Sequence, residues 1–185
     1  ILSGGSKRSF QYGRADRGYS DDFPAGAKDA QVVLSDVRIS PLLEEIVRKL
    51  KARSRPEPGL YPYRLPALCI KANVQQMKEL LTNLVGNAVK YNHPGGQVWV
   101  TIREQDGQMV IRVRDNGVGI PEESLDRIFE RFYRVDKGRS RKQGGTGLGL
   151  SIVKHIVNFY HGSIHVASQL EKGTEFTVTI PLKWE

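Results

Sequence analysis

The 185-residue chain holds a single cysteine, Cys69, which excludes an internal disulfide framework and any multi-cysteine zinc site. It has no apolar run near the ~18 residues that a membrane-spanning helix needs. Its first residues show no signal-peptide pattern, so a cytoplasmic location is expected. Acidic residues are in deficit: 20 Asp and Glu face 28 Lys and Arg, for a net charge of +8. That balance favours an anionic partner without naming it. The charge is unevenly spread. Within residues 131–142, Arg131, Arg134, Lys137, Arg139, Arg141 and Lys142 stand against Asp136 alone, and a second basic stretch runs from Arg48 to Arg55. Each stretch is either a solvated face or an anion contact. Aromatics do not interleave with these cations as in a single-strand-binding platform, so no nucleic-acid partner is expected. The 39% hydrophobic and 26% charged fractions exclude a disordered or fibrous chain. The length suits one domain with a tail.

Residues 1–30 carry Gly4, Gly5, Gly13, Gly18 and Gly26 with no sustained period and read as linker or disordered leader. Regular patterning starts near Gln31. Ser40 before Pro41 suggests an N-cap with proline at the first helical position, and Ile39, Leu42, Leu43, Ile46, Val47 and Leu50 recur at helical spacing. A proline-rich connection from Arg53 to Pro66, with a short extended piece, leads to a strand at Leu68–Ile70. Asn73, with Gln76 three residues on, resembles a capping box. It opens a helix to about Tyr91 whose apolar set is Met77, Leu80, Leu81, Leu84, Val85 and Ala88. The alternating segments Val98–Arg103 and Met109–Arg114, joined through Asp106-Gly107, read as a hairpin. After a long loop region from Asp115 to Gly147, a third helix runs from about Leu148 to Tyr160, and strands at Ser163–Ala167 and Glu175–Ile180 follow. This order predicts an α+β two-layer sandwich.

Three pieces carry candidate chemistry. Asn83, Asn87 and Lys90 share one face of the second helix at four- and three-residue spacing. Asparagine is a mediocre helix former, so two of them facing one way are either an exposed polar stripe or oxygen ligands for a hard cation such as Mg²⁺. Lys90 then meets a phosphate. Asp115-Asn116-Gly117-Val118-Gly119-Ile120-Pro121 follows a strand. It is either ordinary turn chemistry or a close backbone approach to a flat ligand, with the carboxylate accepting an exocyclic amine such as adenine's. Gly144-Gly145-Thr146-Gly147-Leu148-Gly149-Leu150 runs into a helix and offers N–H groups and a positive dipole end to phosphates, unless it is only a flexible hinge. It is neither a Walker A loop nor a dinucleotide fingerprint, because Leu150, Ser151 and Ile152 stand where those motifs need Lys, Ser or Thr, and Gly. Between the last two pieces the basic stretch, opened by Phe129, Phe132 and Tyr133, looks like a closable lid.

Together these segments resemble sensor histidine kinases. LLTNLVGNAVKY (residues 80–91) resembles their N box, DNGVGIP their G1 box, IFERFYRVD (128–136) their F box and GGTGLGLSIVK their G2 box; Lys172-Gly173-Thr174-Glu175-Phe176 matches the short closing glycine motif. The lid sequence is nearest to phosphate- and cell-wall-sensing subgroups. The resemblance covers about Val37 to the C-terminus. It implies the Bergerat ATP-binding fold, with a mixed sheet of about five strands covered by three helices, and a catalytic ATP-binding domain over residues 31–185. Carried over by position, it implies that Asn87 ligates Mg²⁺, with Asn83 close to the metal and phosphates, and that Lys90 and Tyr91 contact phosphate and ribose. Asp115 would hold the adenine amine, with Gly117, Gly119, Ile120 and Thr174 around the base. Tyr133 belongs to the lid, and Arg134 with Lys137 would reach the terminal phosphate. Gly145, Thr146, Gly147, Leu148 and Gly149 would cradle the phosphates. Asn83, Lys90 and Arg134 would be the residues of catalysis.

The family's phosphoacceptor is a histidine followed by an acid and, further on, a proline. His93, His155, His161 and His165 are followed by Pro, Ile, Gly and Val, and none fits. The expected partners are therefore a histidine-bearing dimerisation domain of the same kinase and, downstream, a response regulator, with any membrane anchor lying upstream. ATP-driven clamps of the same superfamily share the metal asparagine but carry a glutamate base four residues earlier. Here that place is Asn83.

Overall fold

The computed structural model describes residues 6–10, 32–51, 59–60, 67–135 and 146–184. The chain folds as an α+β sandwich with one helical layer on one face of a mixed sheet. Its elements are β1 (Ser6–Phe10), β2 (Ser35–Arg38), α1 (Ile39–Lys51), β3 (Gly59–Leu60), β4 (Cys69–Ala72), α2 (Val74–Lys90), β5 (Gln97–Gln105), β6 (Gln108–Asp115), α3 (Gly149–Phe159), β7 (Ser163–Gln169) and β8 (Gly173–Pro181). The main sheet runs β1-β7-β8-β6-β5-β3. The β3–β5 pairing is parallel and the others are antiparallel.

The strand read at Leu68–Ile70 is present, and one strand lies where the sequence reading had a linker. The segment read as Leu68–Ile70 forms β4, but it pairs with β2 in a separate two-stranded sheet and is no part of the main one. β1 lies inside the stretch read as linker and pairs with β7, placing Ser6 opposite Ser168 and Phe10 opposite Ile164.

Helix α1 begins at Ile39 rather than after Ser40. Strand β2 runs directly into it, and the Ile39 N–H donates to the Leu68 carbonyl at 3.1 Å. Pro41 therefore falls third in the helix, where its missing N–H is still one of the four without an intrahelical acceptor. Helix α2 follows its sequence signals closely. The Asn73 side chain accepts from the Gln76 N–H at 3.0 Å, and the six apolar residues named above are the buried ones. The Gln76 side chain does not return to the Asn73 N–H as a capping box would have it. Tyr160 stands between them: its hydroxyl accepts from Asn73 N at 2.9 Å and donates to Gln76 Oε1. The start of α2 is thus capped by the residue that ends α3.

The β5–β6 hairpin closes through Asp106 and Gly107, both at positive φ (52° and 71°), the conformation of the tight hairpin turns whose twist matches the strands. Inward residues Val98, Val100 and Ile102 of β5 and Met109, Ile111 and Val113 of β6 are all buried, as are Ile164 and Val166 of β7 and Phe176, Val178 and Ile180 of β8. Helix α2 packs on β5 and β6, α3 on β7 and β8, and α1 on α2. Leu80, Leu84, Met77 and Val153 are fully buried at the helix–sheet seam. Burying each such side chain is worth roughly 1.5–3 kcal/mol. Among the described residues no helix is long and apolar enough to cross a membrane.

Candidate functional site

The C-terminal half of α2, the loop after β6, the start of α3 and the β7–β8 turn surround a cleft of about 730 Å³. Its walls bring together Asn83, Asn87, Lys90, Tyr91, Asp115, Gly119, Ile120, Tyr133, Arg134, Thr146, Gly147, Gly149 and Thr174, residues that the sequence reading had assigned from five separate segments. Gly117 lies behind the wall and Leu148 caps α3, neither of them lining the cleft. Lys137 and Gly145, with the lid centre, fall outside the described residues.

Asp115 ends β6 and is buried, with 6% of its surface exposed. Its Oδ1 accepts from the backbone N–H of Gly117 at 2.9 Å and of Thr174 at 3.2 Å. Burial raises its pKa from 3.8 to about 6, against the pull of those two N–H groups and of nearby His93. Among the described residues no donor reaches Oδ2, so a neutral acid or an amine-bearing ligand answers the site.

The loop after Asp115 is stitched to its surroundings by backbone. Val118 N–H donates to the Tyr91 carbonyl at 3.1 Å, and Glu171 N–H donates to the Val118 carbonyl at 2.8 Å. A Cβ at Gly117 would sit 2.3 Å from the Tyr91 carbonyl oxygen. One at Gly119, whose φ is +70°, would sit 2.1 Å from the Gln169 carbonyl oxygen. Those contacts leave room for no side chain. Ser168 completes the floor. Buried at 3% exposure, its hydroxyl accepts from Ile120 N–H at 2.8 Å, donates to the Gly173 carbonyl at 3.0 Å and lies 2.9 Å from Thr174 Oγ1.

At the other end, Asn83 Nδ2 donates to the Glu79 carbonyl at 2.9 Å, which turns its Oδ1 toward the start of α3. A Cβ on Gly149 would lie 2.7 Å from that oxygen. Asn87 sits one turn further on, and Lys90 Nζ rests 5.1 Å from the centroid of the Tyr91 ring. Phe132 N–H donates to the Gly147 carbonyl at 3.0 Å, joining the aromatic segment to the glycine loop. Tyr133 hydroxyl donates to Ser124 Oγ at 3.0 Å, under the Arg127 guanidinium at 4.4 Å. Arg134 lines the cleft with Nε and one terminal nitrogen buried and without hydrogen-bond partners among the described residues. Such donors call for an anion. No group of three or more His, Cys, Asp or Glu side chains that could hold a metal occurs among the described residues. Asn83 and Asn87 bring side-chain amide oxygens to the cleft, donors whose chemistry suits a hard, oxygen-seeking cation that keeps several waters.

The cleft therefore presents a buried carboxyl at one end and anion-seeking arginine donors at the other, with amide oxygens near the start of a helix. Residues 72–183 match the family described as histidine kinase-, DNA gyrase B- and HSP90-like ATPases. The chain belongs to this family. As a histidine kinase-like ATPase it is 42% identical over 120 residues to the sensor histidine kinase WalK of Bacillus subtilis (strain 168), covering 64% of this chain and 20% of WalK. It is 46% identical over 109 residues to the signal transduction histidine-protein kinase ArlS of Staphylococcus aureus (strain USA300), covering 59% of this chain and 24% of ArlS. The chain thus spans about a fifth to a quarter of the length of these curated relatives. Among solved structures it is similar to the mycobacterial sensor histidine kinase MprB, with a TM-score of 0.70 at 25% identity over 80% of this chain and 97% of that one. It is also similar to full-length ShkA in complex with AMPPNP, with a TM-score of 0.67 at 30% identity over 84% of this chain and 32% of that one.

Sequence reasoning missed several cleft residues of this ATPase: His93, Leu170, Glu171 and Phe176 in the walls, and Ser168 beneath them. Ser168 left a readable signal. It continues the inward alternation of Ile164 and Val166, and a hydroxyl in an apolar phase asks for a buried partner. Glu171 left none, since its position follows from a turn with φ of 60°.

Proposed function

We propose that this chain is the ATP-binding catalytic part of a protein-histidine kinase of the two-component type. The observation that carries the reading is Asn83. It lines the cleft four residues before Asn87, at the place where the family's ATP-hydrolysing clamps resemble it but carry glutamate. An amide cannot take a proton from water, so the site binds the nucleotide without activating water at that position. The terminal phosphoryl is then left for a nucleophile brought from outside.

In this reading Asp115 Oδ2 accepts the adenine amine, while Ile120, Gly119 and Thr174 flank the base. Tyr91 lies along the ribose, and Lys90 places its ammonium on the phosphates. Asn87 offers its side-chain oxygen to Mg²⁺, with Asn83 beside it. A cation bound there neutralises phosphate charge. Arg134 directs its unpartnered donors at the terminal phosphate, where charge builds during transfer. Lys137 and the glycine loop around Gly145 to Gly149 complete the phosphate contacts. The acceptor is a histidine on a separate dimerisation domain, which passes the group to a response regulator; the whole protein is membrane-anchored through segments outside this chain, and this part works in the cytoplasm.

The test supplies the purified chain with ATP and a two-helix histidine domain in trans. Phosphate that is acid-labile and base-stable should appear on the added domain and none on the chain. Stoichiometric labelling of the isolated chain, or an acid-stable product on a partner serine, would overturn the proposal.

A further inference from the structure

The face of the main sheet turned away from the helices carries a second, shallower groove of about 500 Å³. It runs across β5, β6, β8 and β7, and Arg103, Arg112, His165, Thr177 and Thr179 are among its lining residues. The register aligns these side chains in rows. Thr101, Arg112, Thr177 and His165 lie side by side across the four strands; Trp99, Arg114 and Glu175 form the next row, and Arg103, Val110 and Thr179 the one beyond. Thr101, Arg103, Arg112 and His165 are exposed.

The chemistry of this face is selective. These four strands contain no lysine, against 12 lysines and 16 arginines in the whole chain; their cations are Arg103, Arg112 and Arg114, with His165 beside them. A face selected only for solubility carries lysine freely, whereas arginine and tryptophan are enriched, and lysine depleted, where proteins meet. The Arg114 guanidinium stacks 5.4 Å from the Trp99 ring centroid, which holds it flat on the sheet. Arg112 is steadied by Glu175 at 3.7 Å while 45% of its side chain stays exposed. Val110, flanked by Arg103 and Thr179, is 8% exposed and gives the groove an apolar floor. Glu175 and Asp106 are the acids that line the groove against these cations.

We propose that this outer sheet face docks an acidic protein surface, independently of the nucleotide cleft on the other side of the sheet. Arginine is suited to the task because its planar fork pairs with carboxylates in two parallel hydrogen bonds. The footprint is four strands wide at about 4.8 Å spacing, a size for a transient contact rather than a permanent one. Steering by the arginines sets how fast the partner arrives and which partner is accepted.

The experiment uses the whole chain saturated with a non-hydrolysable ATP analogue, so that the cleft cations are occupied. A fluorescent Glu- and Asp-rich peptide is titrated in and followed by anisotropy, and ¹⁵N amide shifts map its place. Binding should weaken with salt, and shifts should centre on Thr101, Arg112 and Thr177. The double variant Arg103→Glu/Arg112→Glu should lose about tenfold or more in peptide affinity, and Arg103→Gln/Arg112→Gln an intermediate amount, with nucleotide affinity unchanged in both. Unchanged peptide binding in the Gln variant, or shifts centred elsewhere, overturns the proposal. So does tighter binding of an equal length of oligothymidylate that the same substitutions abolish, because the face would then read phosphodiesters.

Discussion

If Asp115 holds the base as proposed, nucleotide affinity should depend on pH in a direction set by the burial of its carboxyl. Its carboxyl is raised from 3.8 to about 6, chiefly by burial. In the unfolded chain it loses its proton near 3.8, and in the empty folded cleft near 6. Between those values the native state binds more protons than the unfolded state, so stability falls as pH rises from about 4 to about 6. The loss by pH 7 is about 3 kcal/mol. An adenine amine donating to Oδ2 favours the carboxylate and offsets part of that cost, so ATP binding expels a proton when pH is below about 6. The binding-competent fraction is the ionised one. It is about 90% at pH 7 and about 10% at pH 5, so the apparent affinity should drop about tenfold between them while that of the ionised form stays constant.

The phosphates and any bound cation titrate in the same range, and for that reason the variant matters more than the curve. Asp115→Asn keeps an acceptor for the Gly117 and Thr174 N–H groups but has no ionisable group. Its affinity at pH 7 should be far below that of the parent, because a site built on a specific hydrogen bond discriminates strongly when the bond is lost. The parent-to-variant ratio, measured by displacement of a fluorescent nucleotide from pH 5 to 8, should then shrink about tenfold from pH 7 to pH 5. A ratio that is constant across that range would refute the assignment of the base contact to Asp115.

Three further outcomes follow from other parts of the molecule. Asn87→Ala should abolish the gain in ATP affinity that Mg²⁺ brings over EDTA, while Asn83→Glu should raise background ATP hydrolysis; calorimetry and a phosphate-release assay read the two effects. Tyr160→Phe removes the hydroxyl that joins the Asn73 N–H to Gln76 Oε1, and should lower stability by roughly 1–3 kcal/mol with nucleotide affinity unchanged, as seen in the urea midpoint and a parallel ATP titration.

The parts of this fold that were legible in the sequence are those in which the cause is local. The apolar set of α2 is a repeat of 3.6 residues, the hairpin of β5 and β6 is two alternating runs around Asp106-Gly107, and the Asn73 cap needs only its own next turn. The strand at Cys69–Ala72 was legible as a strand, but its partner was not. Pairing with β2 depends on how the chain enters α1, and nothing within four residues of Ile70 records that. The short parallel pairing of Gly59–Leu60 with β5 is non-local in the same way.

The site divides along the same line. Residues that would face the ligand were found because ligand chemistry constrains residue type at short spacing: two amides and a lysine on one helical face, an acid before two glycines, a glycine run before a helix. Residues that hold the others in place were missed because their constraint comes from across the sheet. Ser168 binds Ile120 and Thr174 together from β7, and Tyr160 ties the end of α3 to the start of α2. In both cases one hydroxyl serves two segments far apart in sequence, and the polar atom is buried where water cannot replace it. Removing such a group leaves a backbone N–H donor and an oxygen acceptor unsatisfied, Asn73 N–H and Gln76 Oε1 in one case and Ile120 N–H and the Gly173 carbonyl in the other, which costs more than the bond itself contributes. The supporting residues should therefore be less tolerant of conservative change than the exposed members of the cleft, although the sequence announces the latter far more plainly.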